Sequence, residues 1–208
     1  PAITAGATYL LGSAASFIDQ LQVYSNNVPI ESINQYGLLQ NFLLQNTVSS
    51  SERVGGLSVS MGCDTNSLQG LDIPTAVGSY RLNFCIPLIS ILGVNSDKFI
   101  PIGSISNMQL LLTTANLCPV VAYCVTATTQ PSFSLPFTLV DWTLNMKYID
   151  IGDMSAALLK QTLVDSKWFI KAATYTQSAV TIPSGSQGAQ QLLLQIRNTS
   201  VKSIFHQF

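Results

Sequence analysis

Charge is what this sequence has least of. Only 9% of its 208 residues are Asp, Glu, Lys or Arg, while 47% are hydrophobic. An ordinary globular domain is about 25% charged, so much of this surface is expected to meet other protein rather than water. Nine Lys plus Arg stand against ten Asp plus Glu, and the basic residues are scattered singly from Arg53 to Lys202. A sequence-specific nucleic-acid face, which needs clustered cations to meet phosphates, is therefore not expected. Histidine is scarcer still. The single His206, between Phe205 and Gln207, excludes any triad or metal cluster needing two histidines, and its place favours a structural role. Long apolar runs are missing too: Ser, Thr, Gln and Asn interrupt each one well short of the roughly 18 residues that cross a bilayer. The opening PAITAGATYLLGSAASF has no basic start, so no signal peptide is expected, and without an initiator Met the chain is expected to be trimmed or incomplete.

Cys63, Cys85, Cys118 and Cys124 have neither CxxC spacing nor the density of a disulfide scaffold. Cys85 in LNFCIPLISIL and Cys124 in VVAYCVTA read as small buried hydrophobes. A Cys118–Cys124 bridge stays open as an alternative and would require PVVAY to turn back on itself. Other chemistry is thin. Asp150, Asp153 and Asp165 lie close enough in sequence to act as an acid/base pair, but Asp153 as a helix cap is the simpler reading. Asp64-Thr65-Asn66 through Gly70 and Asp72 is like a calcium loop, yet Leu68 and a misplaced glycine break the spacing. Gly55-Gly56 and Gly185 to Gly188 match no phosphate-binding pattern and read as turns. Asn198-Thr199-Ser200 is a formal glycosylation sequon abutting an expected core strand, and reads as chance. No enzyme activity, cofactor or metal is expected.

The hydropathy pattern is mostly that of strands. Ala15 to Ile33 alternates Phe17, Asp19, Leu21, Val23 and Ile30 around Ser25, Asn26 and Asn27, a β-hairpin. Ile33, Tyr36, Leu39, Phe42 and Leu43 recur at three- and four-residue steps, which places them on one face of a short helix. From Asn46 to Ser79 a glycine-rich connection follows in which Leu57 to Val59 alone is strand-like. Further strands are expected at Tyr80–Pro87, Met108–Thr114, Val120–Thr126, Phe137–Tyr148, Trp168–Tyr175, Gln190–Ile196 and Ser203–Phe208. Gly93, Asn95, Asp97, Pro101 and Gly103 turn the chain between the first two. A second short helix begins near Asp153, with Met154, Ala157, Leu158 and Leu159 on its apolar side. The expected fold is all-β: a jelly-roll sandwich of about eight antiparallel strands with one or two short helices, residues 1–208 forming a single domain.

Three stretches in this order also resemble a known family. FIDQLQVYSNNVPIESINQYGLL, RLNFCIPLISILGVNSDKFIPIGSISNMQLLLTTAN and QLLLQIRNTSVKSIFHQF look like parts of double jelly-roll major capsid proteins of the polinton-like virus, virophage and large double-stranded DNA virus lineage. The shared features are a Pro-Leu strand, a Lys-aromatic-Ile-Pro turn and a following apolar strand, here Ile86-Pro87-Leu88, Lys98-Phe99-Ile100-Pro101 and Met108 to Leu112. The resemblance spans Phe17 to Phe208. It implies a virion protein whose stacked jelly rolls form pseudo-hexagonal homotrimers, tiling an icosahedral shell over the genome beside a penton protein and often over an internal membrane. At 208 residues the chain is too short for two rolls, so it is expected to be part of a longer protein or a single-roll relative.

Two functional classes follow. The first is a self-assembling capsid subunit, with Trp142, Trp168 and Phe208 chosen by size and polarity as subunit-interface residues. The second is a carbohydrate- or receptor-binding β-sandwich module, in which Trp142, Trp168, Tyr175 and Phe208 line a sugar groove by stacking on apolar sugar faces.

Overall fold

A computed structural model describes residues 8–10, 12–62, 71–73, 82–93, 99–102, 105, 107–116, 120–122, 138–147, 149–165, 171–177, 185 and 189. The expected hairpin is present as strands β2 (Ile18–Ser25) and β3 (Val28–Asn34), preceded by β1 (Thr8–Leu10) and a 3-10 turn at Ala14–Phe17. Asn26 and Asn27 sit at φ 49 and 62, left-handed at both central positions as a two-residue type I′ turn requires. Asparagine enters that region at little cost, which is why the chain turns here. β5 (Met108–Thr114) pairs antiparallel along the other side of β2, giving the order β3-β2-β5.

Strand alternation then builds the core. Leu21 lies between Ile33 and Leu112, and Val23 between Glu31 and Leu110. Leu21, Val23 and Ile33 are fully enclosed, and Met108, Leu110 and Leu112 pack against them. Each such side chain contributes about 1.5–3 kcal/mol on burial.

Helix α1 (Tyr36–Thr47) forms over most of the expected stretch and covers this core, but Ile33, expected on its apolar face, lies in β3. Its enclosed residues are Tyr36, Gly37, Gln40 and Leu44. Leu39, Phe42 and Leu43 are only partly buried, so the inward line is rotated from the expected apolar face. Gly37 explains the rotation, because a Cβ there would stand 2.5 Å from the Ala15 carbonyl oxygen. The helix rests its backbone directly on the 3-10 turn.

The connection after α1 is helical. Helices α2 (Ser50–Val54) and α3 (Gly56–Met61) replace the strand expected at Leu57 to Val59. A capping box starts α2: the Ser49 hydroxyl accepts from the Glu52 amide at 3.3 Å, and the Glu52 carboxylate accepts from the Ser49 amide at 3.3 Å. Leu44 and Met61 form a second small core with Val48, Leu57 and Ile86.

A separate sheet has β1 at its centre, between β4 (Leu71–Ile73) and β6 (Val120–Ala122). β6 is the start of the strand expected at Val120–Thr126, and the rest of that stretch lies outside the described residues. Residues 82–89, expected as the strand Tyr80–Pro87, are irregular. Cys85, expected to be buried, is a free and exposed thiol. Residues 138–147 form no strand either, and from 171 to 177 there is only an isolated bridge at Ala172. Helix α4 (Gly152–Asp165) is the expected second helix, but Asp150 caps it: its Oδ1 accepts from the Gly152 amide at 2.9 Å, while Asp153 sits in the first turn. The strands expected at Gln190–Ile196 and Ser203–Phe208 lie outside the described residues, as do Cys63, Cys118 and Cys124.

The all-β jelly-roll sandwich of about eight strands is therefore corrected. Among the described residues there are six strands in two three-stranded antiparallel sheets, together with four α-helices. This is a small mixed fold of helices and sheets. One expected strand lies in helix α3, and other expected strands lack strand pairing among the described residues.

Candidate interaction surface

A buried polar cluster positions the irregular segment 82–93. Glu31 falls in phase with Ile33 on the inward side of β3, so its carboxylate is only 3% exposed. Its Oε2 accepts from the Ser90 hydroxyl and from the Ile91 amide at 3.0 Å. At the start of α1 the Tyr36 hydroxyl accepts from the Ile89 amide at 2.8 Å, and about one turn further on the Gln40 side-chain amide donates to the Pro87 carbonyl at 3.2 Å. Burial pushes the Tyr36 phenol up to about 12; the Ile89 hydrogen bond acts the other way, and the nearby Glu31 carboxylate adds a smaller upward push. Side chains from β3 and α1 thus supply the partners that a strand neighbour would have given this backbone. The cluster is an anchor. Glu31 Oε1 and Gln40 Oε1 are enclosed without a hydrogen-bond partner among the described residues.

The second feature is exposed apolar surface. Val140, Trp142, Leu144, Met146, Ile149, Ile151, Met154 and Leu158 are eight of the sixteen large hydrophobics exposed among the described residues. They fall in one stretch of the chain. Met154 is 81% exposed on α4, so the apolar side expected for that helix faces outward rather than into a core. Single exposed hydrophobics are ordinary, whereas a run of them marks a contact surface.

The third feature is the outer face of the β3-β2-β5 sheet, which carries no charge on its paired rows. Asn34, Gln20 and Thr113 form one row, Ser32, Gln22 and Leu111 the next, and Pro29, Tyr24 and Gln109 the third. Gln20 donates to Asn34 at 2.6 Å, and Tyr24 donates to Gln22 at 3.1 Å. At the turn end a shallow groove of about 300 Å³ is lined by Tyr24, Asn27, Gln109, Leu110 and Leu111.

Of the residues chosen for a subunit interface, Trp142 lies in the exposed apolar stretch at 52% exposure, while Trp168 and Phe208 lie outside the described residues. Tyr175, chosen for a sugar groove, packs instead against the hairpin core. His206, Gly188 and the stretch from Cys63 to Gly70 also lie outside the described residues, and the side chains of Asp72 and Asp165 are not described. Gly185 is a turn residue at φ 82. Among the described residues no three His, Cys, Asp or Glu side chains gather as a metal site, and no helix is long and apolar enough to cross a membrane. Glu31 and Gln40 were missed in the sequence, although the two-residue step from Glu31 to Ile33 was a visible signal that the carboxylate points inward.

Comparison with family models, with curated proteins and with solved structures found no match in any of the three.

Proposed function

We propose that the chain is a structural subunit of a virion shell, working by association with copies of itself in capsomers, with the homotrimer as the expected unit. One observation carries this reading: a chain with only 9% charged residues gathers half of its exposed large hydrophobics, among the described residues, between Val140 and Leu158. An apolar stretch of this kind is costly in water and is stabilised by a permanent protein neighbour, as in obligate assemblies. The order of the Pro-Leu, Lys-Phe-Ile-Pro and apolar-strand motifs supports the same reading, with Met108 to Leu112 lying in β5. Its place is then the capsid, beside a penton protein and over the genome or an internal membrane. Negative-stain electron microscopy of the concentrated full chain tests it: capsomers or shells are expected, and dispersed single particles of monomer size would overturn it.

A second reading has its own observation. The uncharged amide and hydroxyl rows around Tyr24, with the groove at Asn27 and Gln109, have the chemistry that meets a neutral sugar or a receptor loop. A glycan array tests this. Binding that disappears in Tyr24→Ala would place a recognition module first.

A further inference from the structure

Residues 138–147 alternate like a strand, with Val140, Trp142, Leu144 and Met146 on one side and Asp141, Thr143, Asn145 and Lys147 on the other. Yet this stretch joins neither sheet among the described residues. Its four apolar side chains are 56, 52, 53 and 52% exposed, and Asp141, Thr143, Asn145 and Lys147 between them are exposed as well, so both sides of the stretch face outward.

We infer that residues 141–147 pair antiparallel with the same residues of a second copy, about a two-fold axis through Leu144. The inference rests on the self-assembly reading and names the contact it would use. Symmetry and charge select the register. A two-fold axis perpendicular to the ribbon keeps both apolar sides on one face, and it must then pass through a residue rather than between two. Asp141 and Lys147 are the only charged residues in the run. Of the registers that symmetry allows, the one centred on Leu144 sets each Asp141 opposite Lys147 of the second copy. The same register sets Trp142 opposite Met146, Thr143 opposite Asn145, and Leu144 opposite itself. Every cross-strand pair is thereby matched in kind, apolar with apolar, polar with polar, and anion with cation.

Asp141 stands at φ 55. It must swing to the extended region on pairing, and aspartate holds either conformation more readily than most residues do. Main-chain hydrogen bonds between the two copies supply the affinity, and the side-chain rows supply the selectivity, as in other strand additions. A single ribbon of seven residues is a modest contact, so it acts alongside other contacts in an assembly.

A charge exchange tests the register, using sedimentation velocity on the full chain across a concentration series. Asp141→Lys or Lys147→Asp alone places like charges opposite each other at two points of the dimer and is expected to weaken self-association about three- to tenfold. The double variant restores both pairs and is expected to recover wild-type association. An equimolar mixture of the two single variants is also expected to associate, because one copy then offers two lysines to the other copy's two aspartates. Four species of equal affinity, or a double variant as weak as the singles, would overturn the register. If the single variants fail to fold, Leu144→Cys in a background with Cys63, Cys85, Cys118 and Cys124 all replaced by serine reads the same axis: a disulfide-linked dimer under mild oxidation is expected, and monomer alone would overturn it. Wild-type chains that associate while the charge exchange stays silent would remove this contact and leave the shell reading standing. Wild-type chains that stay monomeric would remove both.

Discussion

The Ser90 hydroxyl donates to the Glu31 carboxylate across 59 residues of chain, and the Ile91 amide donates to the same oxygen. Both side chains are enclosed, Ser90 at 0% and Glu31 at 3% exposure. Ser90→Ala leaves that carboxylate short of a donor in a dry site and is expected to cost about 1–3 kcal/mol. For a chain of this size that is a fall in Tm of several degrees, read by circular dichroism. An unchanged Tm would mean that the pair does not anchor the 82–93 segment.

Tyr36→Phe deletes the acceptor of the Ile89 amide and is expected to cost about 1–2 kcal/mol, measured by urea unfolding. The wild type also has a pH signature. A phenol free at 10.0 and held to about 12 in the fold favours the neutral form, so its contribution is fully present below pH 10 and is lost as pH rises toward 12. Absorbance at 295 nm is expected to show one tyrosine titrating late, together with a decline in stability across that window. In Tyr36→Phe the late step should be gone.

Gly37→Ala separates local propensity from packing. Alanine in a helix interior ordinarily stabilises by about 1 kcal/mol over glycine. Here its Cβ would meet Ala15 oxygen at 2.5 Å and Ser16 Cα at 2.7 Å, both backbone atoms that cannot rotate away. Net destabilisation of about 1–3 kcal/mol is expected. A rise in Tm would show that α1 does not rest on the 3-10 turn.

Asn27→Val tests the hairpin. With φ at 62 the position excludes β-branched side chains, and the strain is expected to cost about 1–2 kcal/mol. Asn27→Gly is expected to keep or slightly raise stability. Thermal melts of the two variants should therefore diverge in opposite directions from the wild type, or nearly so.

These variants sit in the parts of the fold that were most legible in the sequence. The Asn26-Asn27 turn, the two-residue alternation of β2 and β3, the Met108–Thr114 strand and the α1 helix all show local periodicity or turn chemistry, and the structure places each where its pattern lies. Leu57 to Val59 misled because the apolar pair Leu57 and Val59 around Ser58 fits a short helix as well as a strand, and Leu57 packs in the small core of Leu44 and Met61. The 82–89 stretch misled for another reason. Its apolar run looks like a strand, but Tyr36, Gln40 and Glu31 satisfy its backbone, and such long-range side-chain partners leave no periodic trace. Residues 138–147 carry a clean strand alternation that no sheet of the described chain uses. Trp142, chosen by its size and polarity, stands exposed in that stretch, whereas the neighbouring exposure on α4 depends on packing that sequence does not state.

Self-association is the central claim, and the mass of the full chain by multi-angle light scattering across a concentration series tests it most directly. Trp142→Ser serves as the comparison. Wild-type mass is expected to rise in multiples of 22.4 kDa toward capsomer-sized species, and Trp142→Ser to shift that rise to higher concentration. A wild-type chain that holds at 22.4 kDa at every concentration would contradict the shell-subunit assignment.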